Sequence, residues 1–278
     1  VLGAPSYGCI PMLSHQDAIK VSYGWNNAPA HRNRVLEPEY AAMGSSYDHS
    51  PVGDVIYEMG LRVSDWVIAC SPFVKKTHAE VVPESKILTA RWGVDVDRFS
   101  PGKKRDRFTI LFSGGDPIRK GLRYLLDAYQ GFASVADLWL VGCNVDIQHP
   151  SVRCFGMVPN SQMPEIVQQC HVMILPTIED GIALAVQEAL ASGVIAITTP
   201  ETAEVFVDGQ GGFVIPYHAS ASIRVLLDRL LTMPQAGYNQ LCQDARAQAE
   251  SFTWNDFKVE FKECVARAVQ HDRTAARP

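Results

Sequence analysis

The stretch HVMILPTIEDGIALAVQEALASGVIAITT, residues 171–199, contains one complete unit of the predicted fold. The apolar run HVMILPT predicts a buried strand, and ALAVQEALASG predicts a helix that Gly193 ends. VIAITT then predicts a second strand. Both runs are continuously apolar rather than alternating, which is typical of parallel strands covered on both faces. The segment therefore predicts a β-α-β unit of an α/β domain.

The same order of apolar runs and amphipathic stretches continues on both sides of this segment. Further strands are predicted at residues 107–115, 136–142, 152–158 and 211–216, and further helices at 120–132, 163–170 and 221–233. Repeated strand–helix order predicts a doubly wound α/β domain with a parallel sheet. Ligands of such domains bind at the carboxyl ends of the strands, so a site is expected in the loops that follow them.

Residues 1–85 show a weaker version of this pattern. AIKVSYG (18–24) and WVIAC (66–70) predict strands, with two helices between them. These elements predict a second α/β domain that is too short to be whole, and since the chain begins with valine we expect its start to lie in a preceding segment. The predicted domains are a partial N-terminal domain over 1–85, a ligand-binding domain over 86–250, and a C-terminal helix over 251–278 that packs back on the first domain.

The composition argues against several classes of protein. Hydrophobic residues make up 47% and charged residues 20% of the 278, which is typical of a globular protein with a core. The formal net charge is −5 without a basic tail, so no nucleic-acid partner is predicted. The seven cysteines are scattered without a CxxC pair, which argues against a disulfide framework or zinc site and favours a reducing compartment. No run of 18 apolar residues predicts a transmembrane helix.

Two acidic residues and a glycine separate the strand at 171–177 from the helix after it. Asp180 is predicted to be the N-cap of that helix. Backbone amides that point out from the sheet edge, a favourable site for a phosphate, are predicted at Gly181, Ile182, Ala183 and Leu184. Glu188 lies about two turns further on, where its carboxylate can accept hydrogen bonds from a ribose diol. The alternative is a plain helix cap and a glutamate on a solvated edge.

The order of four motifs resembles that of glycosyltransferase family 4. The motifs are GVDVDRFSP (93–101), a glycine-rich turn with RKGL (119–122), FGMVP (155–159) and the stretch from ILPTIEDG to VIAITT (174–199). Members of that family have a GT-B fold of two Rossmann-like domains, and most are retaining enzymes that use nucleotide sugars. The resemblance covers about residues 65–265. It implies an α/β GT-B fold with parallel sheets, whose N-terminal domain is incomplete here.

The resemblance also implies roles for the acidic residues. The family motif E-G-F-G-L-x-x-x-E corresponds to the segment from Asp180 to Glu188. Glu188 would then bind the ribose hydroxyls, and Asp180, a catalytic candidate, would contact the donor sugar, with the amides between them facing sugar and phosphate. Two departures stand out: Asp180 replaces a glutamate, and Gly-Ile-Ala replaces Gly-Phe-Gly. Glu179 is the alternative carboxylate, but its spacing to Glu188 is one residue too long.

The stretch SGGDPIRKGL (113–122) supplies basic residues after a predicted strand. In the resembled family an arginine after the first glycine and a lysine before the second clamp the diphosphate, which gains negative charge as it leaves. Here Gly115 occupies the arginine position. The donor-binding candidates of this stretch are Gly114, Gly115, Arg119 and Lys120, and Lys120 is also a catalytic candidate. The alternative, a solvated pair at a helix start, is disfavoured because its charge opposes the helix dipole.

Three further patterns carry less information. FGMVP resembles the turn whose backbone contacts the nucleotide base, at Val158, but a tight exit from a strand explains it equally well. Asp95 and Asp97 form a D-x-D sequence, which elsewhere chelates a metal. Here they belong to the family's GVDxxRF turn, so no metal is predicted. His31 lies in the partial domain, where a surface histidine is the expected interpretation.

The resemblance, together with these residues, implies a retaining hexosyltransferase that uses a UDP- or GDP-linked donor sugar, and no metal or other cofactor is expected. The acceptor is expected to be a saccharide or a lipid-linked molecule. The location is expected to be cytoplasmic, and a lipid-linked acceptor would bring the chain into peripheral contact with the inner membrane face. One alternative is a nucleotide-sugar-binding protein with weak or no turnover, which is favoured by Gly115, Asp180 and the partial first domain. A nucleotide-dependent oxidoreductase is disfavoured because GGDPIRKG is not a GxGxxG sequence.

Overall fold

A computed structural model describes residues 2–3 and 17–275 of the chain, and Cys9 lies outside them. The chain forms two compact units. The first contains the residues up to Gly93 together with those from Trp254 onward, and the second is Val94–Thr253. None of the helices in the described ranges is long and apolar enough to cross a membrane.

The first unit contains a parallel sheet with the strand order β1-β2-β3-β4. Its elements up to the boundary are β1 Leu2–Gly3, β2 Val21–Gly24, α1 Pro29–Ala42, α2 Pro51–Arg62, β3 Trp66–Ala69, α3 Pro72–His78 and β4 Ile87–Thr89. Strand β4 falls on the wrong side of the predicted boundary at residue 85, because it pairs with β3 through Val67 and Ile87. A three-residue strand directly before the polar linker at residues 91–107 gives little sequence signal for the sheet to which it belongs.

The second unit contains a parallel seven-stranded sheet with the order β10-β11-β9-β8-β5-β6-β7. Its strands are β5 Phe108–Ser113, β6 Ala136–Val141, β7 Val152–Gly156, β8 Val172–Leu175, β9 Ile195–Thr198, β10 Val207–Asp208 and β11 Gly211–Val214. Its helices are α4 Leu122–Tyr129, α5 Met163–Gln168, α6 Leu184–Ala191, α7 Ser220–Thr232 and α8 Gln235–Glu250. The predicted parallel sheet and strand–helix order are confirmed.

The central strands β8 and β9 are buried along their whole length and β5 is buried except at its two ends, as continuous apolar runs predict. Strand β5 lies between β8 on one side and β6 on the other. After β5 the chain continues to β6, and after β8 it continues to β9, so the two connections run toward opposite edges of the sheet. Loops that diverge in this way leave a crevice at the carboxyl ends of the strands. The loops after β5 and β8 contain most of the predicted site residues, while Val158 follows β7 and Leu184 and Glu188 lie on α6.

The last helix, α9 Trp254–Ala275, belongs to the first unit and covers its sheet. Cys264 and Ala268 of α9 are buried in one cluster with Ile68 of β3 and Leu88 of β4. Three further apolar side chains of the helix pack against that cluster, namely Phe257, Phe261 and Val265. The core of the first unit is therefore built from both ends of the described chain.

Candidate functional site

The loop after β5 is held in shape by Asp116. Its Oδ1 accepts hydrogen bonds from the backbone N–H groups of Ile118 and Arg119, both at 3.1 Å. Gly114 lies under the aliphatic part of Lys120, and a Cβ added there would be 2.7 Å from Lys120 Cγ. The glycine therefore allows the lysine side chain to cross the loop.

A second glycine of this loop brings it against the end of β8. Gly121 has φ of +68° and precedes α4. An added Cβ would lie 2.0 Å from the carbonyl oxygen of Pro176, which no side-chain movement relieves. Only glycine combines this backbone conformation with such a close approach. The preceding residues Arg119 and Lys120 are thereby directed toward the loop that follows β8.

The two loops meet through oppositely charged side chains. Arg119 Nη1 lies 3.2 Å from Glu179 Oε2, and Lys120 Nζ donates to the Asp180 carboxylate. The backbone joins them as well, since Ile178 N–H donates to Arg119 O at 2.9 Å. Glu179, Asp180 and Lys120 are all buried. The structure thus brings together the predicted basic and acidic residues, and pairs each cation with a carboxylate.

Asp180 is not the N-cap of α6, contrary to the sequence-based prediction. The helix begins at Leu184, its N-cap is Ala183, and no side chain caps it. The carboxylate of Asp180 binds Lys120 instead, a contact between distant loops that local spacing does not reveal. Gly181 and Ile182 form the non-helical connection before Ala183.

Glu201 is a site residue that sequence reasoning missed. It lies in the short 3-10 helix Pro200–Thr202 that follows β9, and its side chain is buried. Its Oε2 accepts the backbone N–H of Asp180 at 2.6 Å, and its Oε1 accepts the hydroxyl of Tyr217 at 3.4 Å. Burial, together with this carboxylate, raises the pKa of Tyr217. The sequence feature that could have indicated Glu201 is its position shortly after the apolar strand β9.

Glu188 lies half-buried on α6. Burial raises the pKa of its carboxyl to about 7, and the charge of Arg98 opposes that rise. Within the described part of the chain no side chain donates a hydrogen bond to its carboxylate. The oxygens of Glu188 are therefore available to accept hydrogen bonds from a ligand.

Arg98 is the second residue that sequence reasoning missed. It donates to the backbone oxygen of Asn160 and, at 2.6 Å, to Asn160 Oδ1. Asn160 follows Val158, which is half-buried in the exit from β7. Oδ1 of Asp95 accepts the backbone N–H of Arg98 at 3.0 Å, so this aspartate closes a turn. Among the described residues no three His, Cys, Asp or Glu side chains form a group that could hold a metal.

Two predicted positions carry no functional side chain in the structure. Gly115 stands at the position where the resembled family has an arginine. A Cβ added to Gly115 would lie 3.6 Å from Gly142 O, so the structure leaves space for a side chain there. His31 belongs to the first unit, where it contacts Arg34 at 3.2 Å and packs edge-on against Phe73. These contacts agree with the expected surface histidine.

The chain is similar to one known family in sequence and to several solved structures in fold. Residues 107–233 match the model of the family Glycosyl transferases group 1. No curated protein matches the chain. The fold is similar to that of sucrose-phosphate synthase from Thermosynechococcus elongatus, with a TM-score of 0.80 and 16% identity over 97% of this chain and 74% of that one.

Two further solved structures share the fold. Anabaena HepE in complex with UDP and glucose has a TM-score of 0.70 and 14% identity, over 92% of this chain and 80% of that one. A glycosyltransferase from Rickettsia africae has a TM-score of 0.66 and 17% identity, over 94% of this chain and 79% of that one. The predicted α/β GT-B fold is confirmed by these structures, and the family match over residues 107–233 indicates a glycosyltransferase domain there.

Proposed function

We propose that this chain is a retaining glycosyltransferase that moves a hexose from a UDP- or GDP-linked donor to a saccharide or lipid-linked acceptor. The observation that carries the proposal is the meeting of Arg119 and Lys120 with Glu179 and Asp180 at the carboxyl ends of β5 and β8. This is the crevice where doubly wound sheets bind their ligands. It lies in the domain that matches the glycosyltransferase family.

Arg119 and Lys120 are assigned to the diphosphate. Both are held by protein contacts before the ligand arrives, so little side-chain entropy remains to be lost on binding. A fixed positive charge stabilises the negative charge that develops on the leaving diphosphate. Gly114 and Gly115 lack side chains, which lets backbone amides approach the phosphates closely.

Asp180 and the segment after it are assigned to the donor sugar. Its carboxylate can accept hydrogen bonds from sugar hydroxyls, while its backbone N–H is fixed by Glu201. The amides of Gly181, Ile182, Ala183 and Leu184 border the same place. The free carboxylate oxygens of Glu188 are assigned to the ribose diol. The backbone at Val158 is assigned to the base.

In the proposed reaction the bond from the anomeric carbon to the diphosphate breaks as the acceptor oxygen bonds to that carbon on the same face. The acceptor proton passes to the departing diphosphate. Lys120 stabilises the diphosphate charge in this step. We propose no metal or other cofactor, and we place the reaction in the cytoplasm, where free thiols such as those of Cys70 and Cys170 stay reduced.

The test is a transfer assay with UDP- and GDP-hexoses against saccharide and lipid acceptors, with the anomeric configuration of the product measured by NMR. Lys120→Met is expected to lower the rate by about 10²- to 10³-fold. Lys103→Met, which removes an exposed lysine of the preceding linker, is the matched control and should leave the rate unchanged. Inversion of the anomeric configuration would contradict the proposed retaining mechanism.

One specific observation favours the alternative, a nucleotide-sugar-binding protein with weak or no turnover. Gly115 stands where the resembled family has an arginine, so one cation is missing from the diphosphate site. Calorimetry with UDP, GDP, ADP and NAD separates the possibilities. Tight diphosphate binding without any transfer would support the alternative. Tighter binding of NAD than of every diphosphate would exclude both.

A further inference from the structure

The second unit contains a cavity of about 760 Å³ at the opposite end of its sheet from the proposed donor site. Phe108, the first residue of β5, and His171, just before β8, line it. Helix α8 supplies another wall with Tyr238 and Cys242. The cavity therefore lies at the amino ends of strands whose carboxyl ends hold Lys120 and Asp180, and it shares no residue with that site.

A lysine without an acidic partner lines this cavity. Lys104 Nζ donates to the backbone oxygen of Ser192 at 3.4 Å. Within the described ranges no carboxylate lies within ion-pair distance of it. Its polar neighbours are the thiols of Cys170 and Cys242, and burial lowers the pKa of its ammonium group. A half-buried ammonium with one long hydrogen bond retains the capacity to bind an anion.

His171 adds a neutral donor of fixed orientation. Its Nδ1 accepts the backbone N–H of Thr109 at 3.0 Å, so the neutral ring carries its proton on Nε2. Burial lowers the pKa of His171 to about 4, so the ring is neutral at pH 7. Stacking on Phe108 at 4.9 Å holds the ring in place. Its Nε2–H is therefore a pre-oriented hydrogen-bond donor.

The other charged residues of the cavity are engaged elsewhere or exposed. Arg246 donates to the backbone oxygens of Val96, Phe99 and Ala191 at 2.8–2.9 Å, so it holds the wall together. Asp106 and Glu250 are exposed. The uncharged lining contains the apolar side chains Phe108, Leu230, Leu231 and Met233 and the polar side chains Gln235, Asn239 and Gln243. The cavity thus combines two donors with walls that are partly apolar.

We propose that this cavity is a second ligand site that binds a small organic anion. A carboxylate or phosphate group would accept hydrogen bonds from Lys104 Nζ and His171 Nε2, and the apolar part would contact Phe108 and the leucines of α7. The proposal is independent of the reaction assigned to the chain, because none of these residues has a role in the donor site.

The experiment is calorimetry of the full chain with phenyl phosphate, phenylacetate and, as the neutral control, benzyl alcohol. At least one anion is expected to bind with a dissociation constant below about 1 mM. The anion that binds more tightly shows whether the site prefers a phosphate or a carboxylate. Benzyl alcohol should bind at least about tenfold more weakly. Saturating UDP should not displace the anion. Failure of both anions to bind, or displacement by UDP, would overturn the proposal.

Three variants test the assigned donors. Lys104→Met and His171→Asn should each weaken anion binding by about tenfold, the effect of losing one hydrogen bond to a charged group. Asparagine keeps an acceptor for Thr109 N–H, so the second variant preserves the strand edge. Lys103→Met, one residue away and exposed, should bind like the wild type. Equal binding by Lys104→Met and Lys103→Met, with both folded by circular dichroism, would refute the assignment of Lys104.

Discussion

Burial on α6 raises the pKa of the Glu188 carboxyl to about 7, so near neutral pH about half of the ligand-free molecules carry its charge. The usual glutamate value near 4.5 applies to the unfolded chain. Because the folded-state pKa is the higher one, the contribution of Glu188 to stability is present below pH 4.5 and is lost as the pH rises through about 7. Binding to a ribose diol has the opposite dependence, since the ionised form is the better acceptor.

This difference gives a prediction for nucleotide affinity. Between pH 8 and pH 6 the ionised fraction of Glu188 falls about tenfold, so UDP should bind about tenfold more weakly at pH 6. Calorimetry at both values measures it. Glu188→Gln should bind UDP about 1–3 kcal/mol more weakly at pH 8. The UDP phosphate also titrates in this pH range. The pH dependence that remains in Glu188→Gln measures that contribution, which is then subtracted from the wild-type value. A pH dependence that persists unchanged in Glu188→Gln would show that the carboxyl does not contact the nucleotide.

The pair between Lys120 and Asp180 gives a second prediction. Asp180→Asn keeps the shape of the side chain but removes the charge that competes with the diphosphate for Lys120. UDP affinity should rise by about three- to tenfold, because the site loses one negative charge. The transfer rate should fall, because the carboxylate no longer accepts from the donor sugar. Fluorescence titration and the transfer assay measure the two effects.

Asp127→Asn is the control for this variant, since Asp127 pairs with Arg224 on the exposed surface. It should change neither quantity. If Asp180→Asn weakens UDP binding and slows transfer together, the carboxylate positions Lys120 rather than competing for it.

The sequence indicates some of the charged residues of the candidate site but not how they are paired. Glu188, Lys120 and Asp180 can be predicted because each belongs to a motif in a loop or helix after a strand. Glu201 also follows an apolar strand and Arg98 lies in the motif GVDVDRFSP, but neither position indicates the contact that the residue makes. Each acts through a loop that is distant in sequence, Glu201 through the Asp180 amide and Arg98 through Asn160. Contacts of this kind depend on the strand order, which the sequence alone does not give.

The loop between β5 and α4 depends on Gly121, and this gives a prediction for stability. Gly121→Ala would place a Cβ 2.0 Å from the Pro176 carbonyl oxygen at a φ of +68°. The conformation alone costs an L-residue about 1–2 kcal/mol, and the contact adds to that. The loop should shift, so that both the melting temperature and UDP affinity fall.

Gly237→Ala is the matched control for Gly121→Ala. Gly237 lies inside α8, and an added Cβ there would meet nothing within 4 Å. Alanine should stabilise that helix by about 0.5–1 kcal/mol. Thermal unfolding of both variants measures the contrast. Equal melting temperatures for the two variants would contradict the close approach of the loop to β8.

Regular elements with continuous apolar runs can be predicted from this sequence, whereas elements held by small residues cannot. The central strands β5, β8 and β9 are confirmed because each is a short apolar run that is almost wholly buried, whereas the two-residue strand β10 is exposed and was not predicted. Helix α8 escapes prediction because its buried positions are Tyr238, Leu241, Ala245 and Ala249. Two of these four are alanines, and the remaining residues of the helix are mostly polar. Its apolar stripe is therefore too narrow for periodicity to detect.

The chain contributes to the first unit, then to the second, and returns to the first with α9. Cys264 and Ala268 of that helix lie in the same core as Ile68 and Leu88. The first unit therefore needs residues from both ends of the described chain to complete its core. The second unit is built from the continuous segment Val94–Thr253 and contains every residue assigned to the nucleotide.

This division gives a prediction that separates the stability of the two units. Ala268 is fully buried, so Ala268→Asp places an unpaired carboxylate in the core of the first unit. It should destabilise that unit by about 2–4 kcal/mol. Val259→Asp is the control, since Val259 lies on the same helix with 56% of its surface exposed. It should change stability by about 0.5 kcal/mol or less.

Tryptophan fluorescence can follow the first unit, because Trp25, Trp66, Trp92 and Trp254 lie in it and Trp139 lies in the second. In Ala268→Asp the fluorescence transition should move to lower temperature, while UDP should bind at 20–25 °C with wild-type affinity, because all residues assigned to the nucleotide lie in the second unit. Calorimetry with UDP at temperatures below and above the fluorescence transition shows whether UDP binding survives unfolding of the first unit. Loss of UDP binding together with the first transition would show that the second unit does not hold its site without the first.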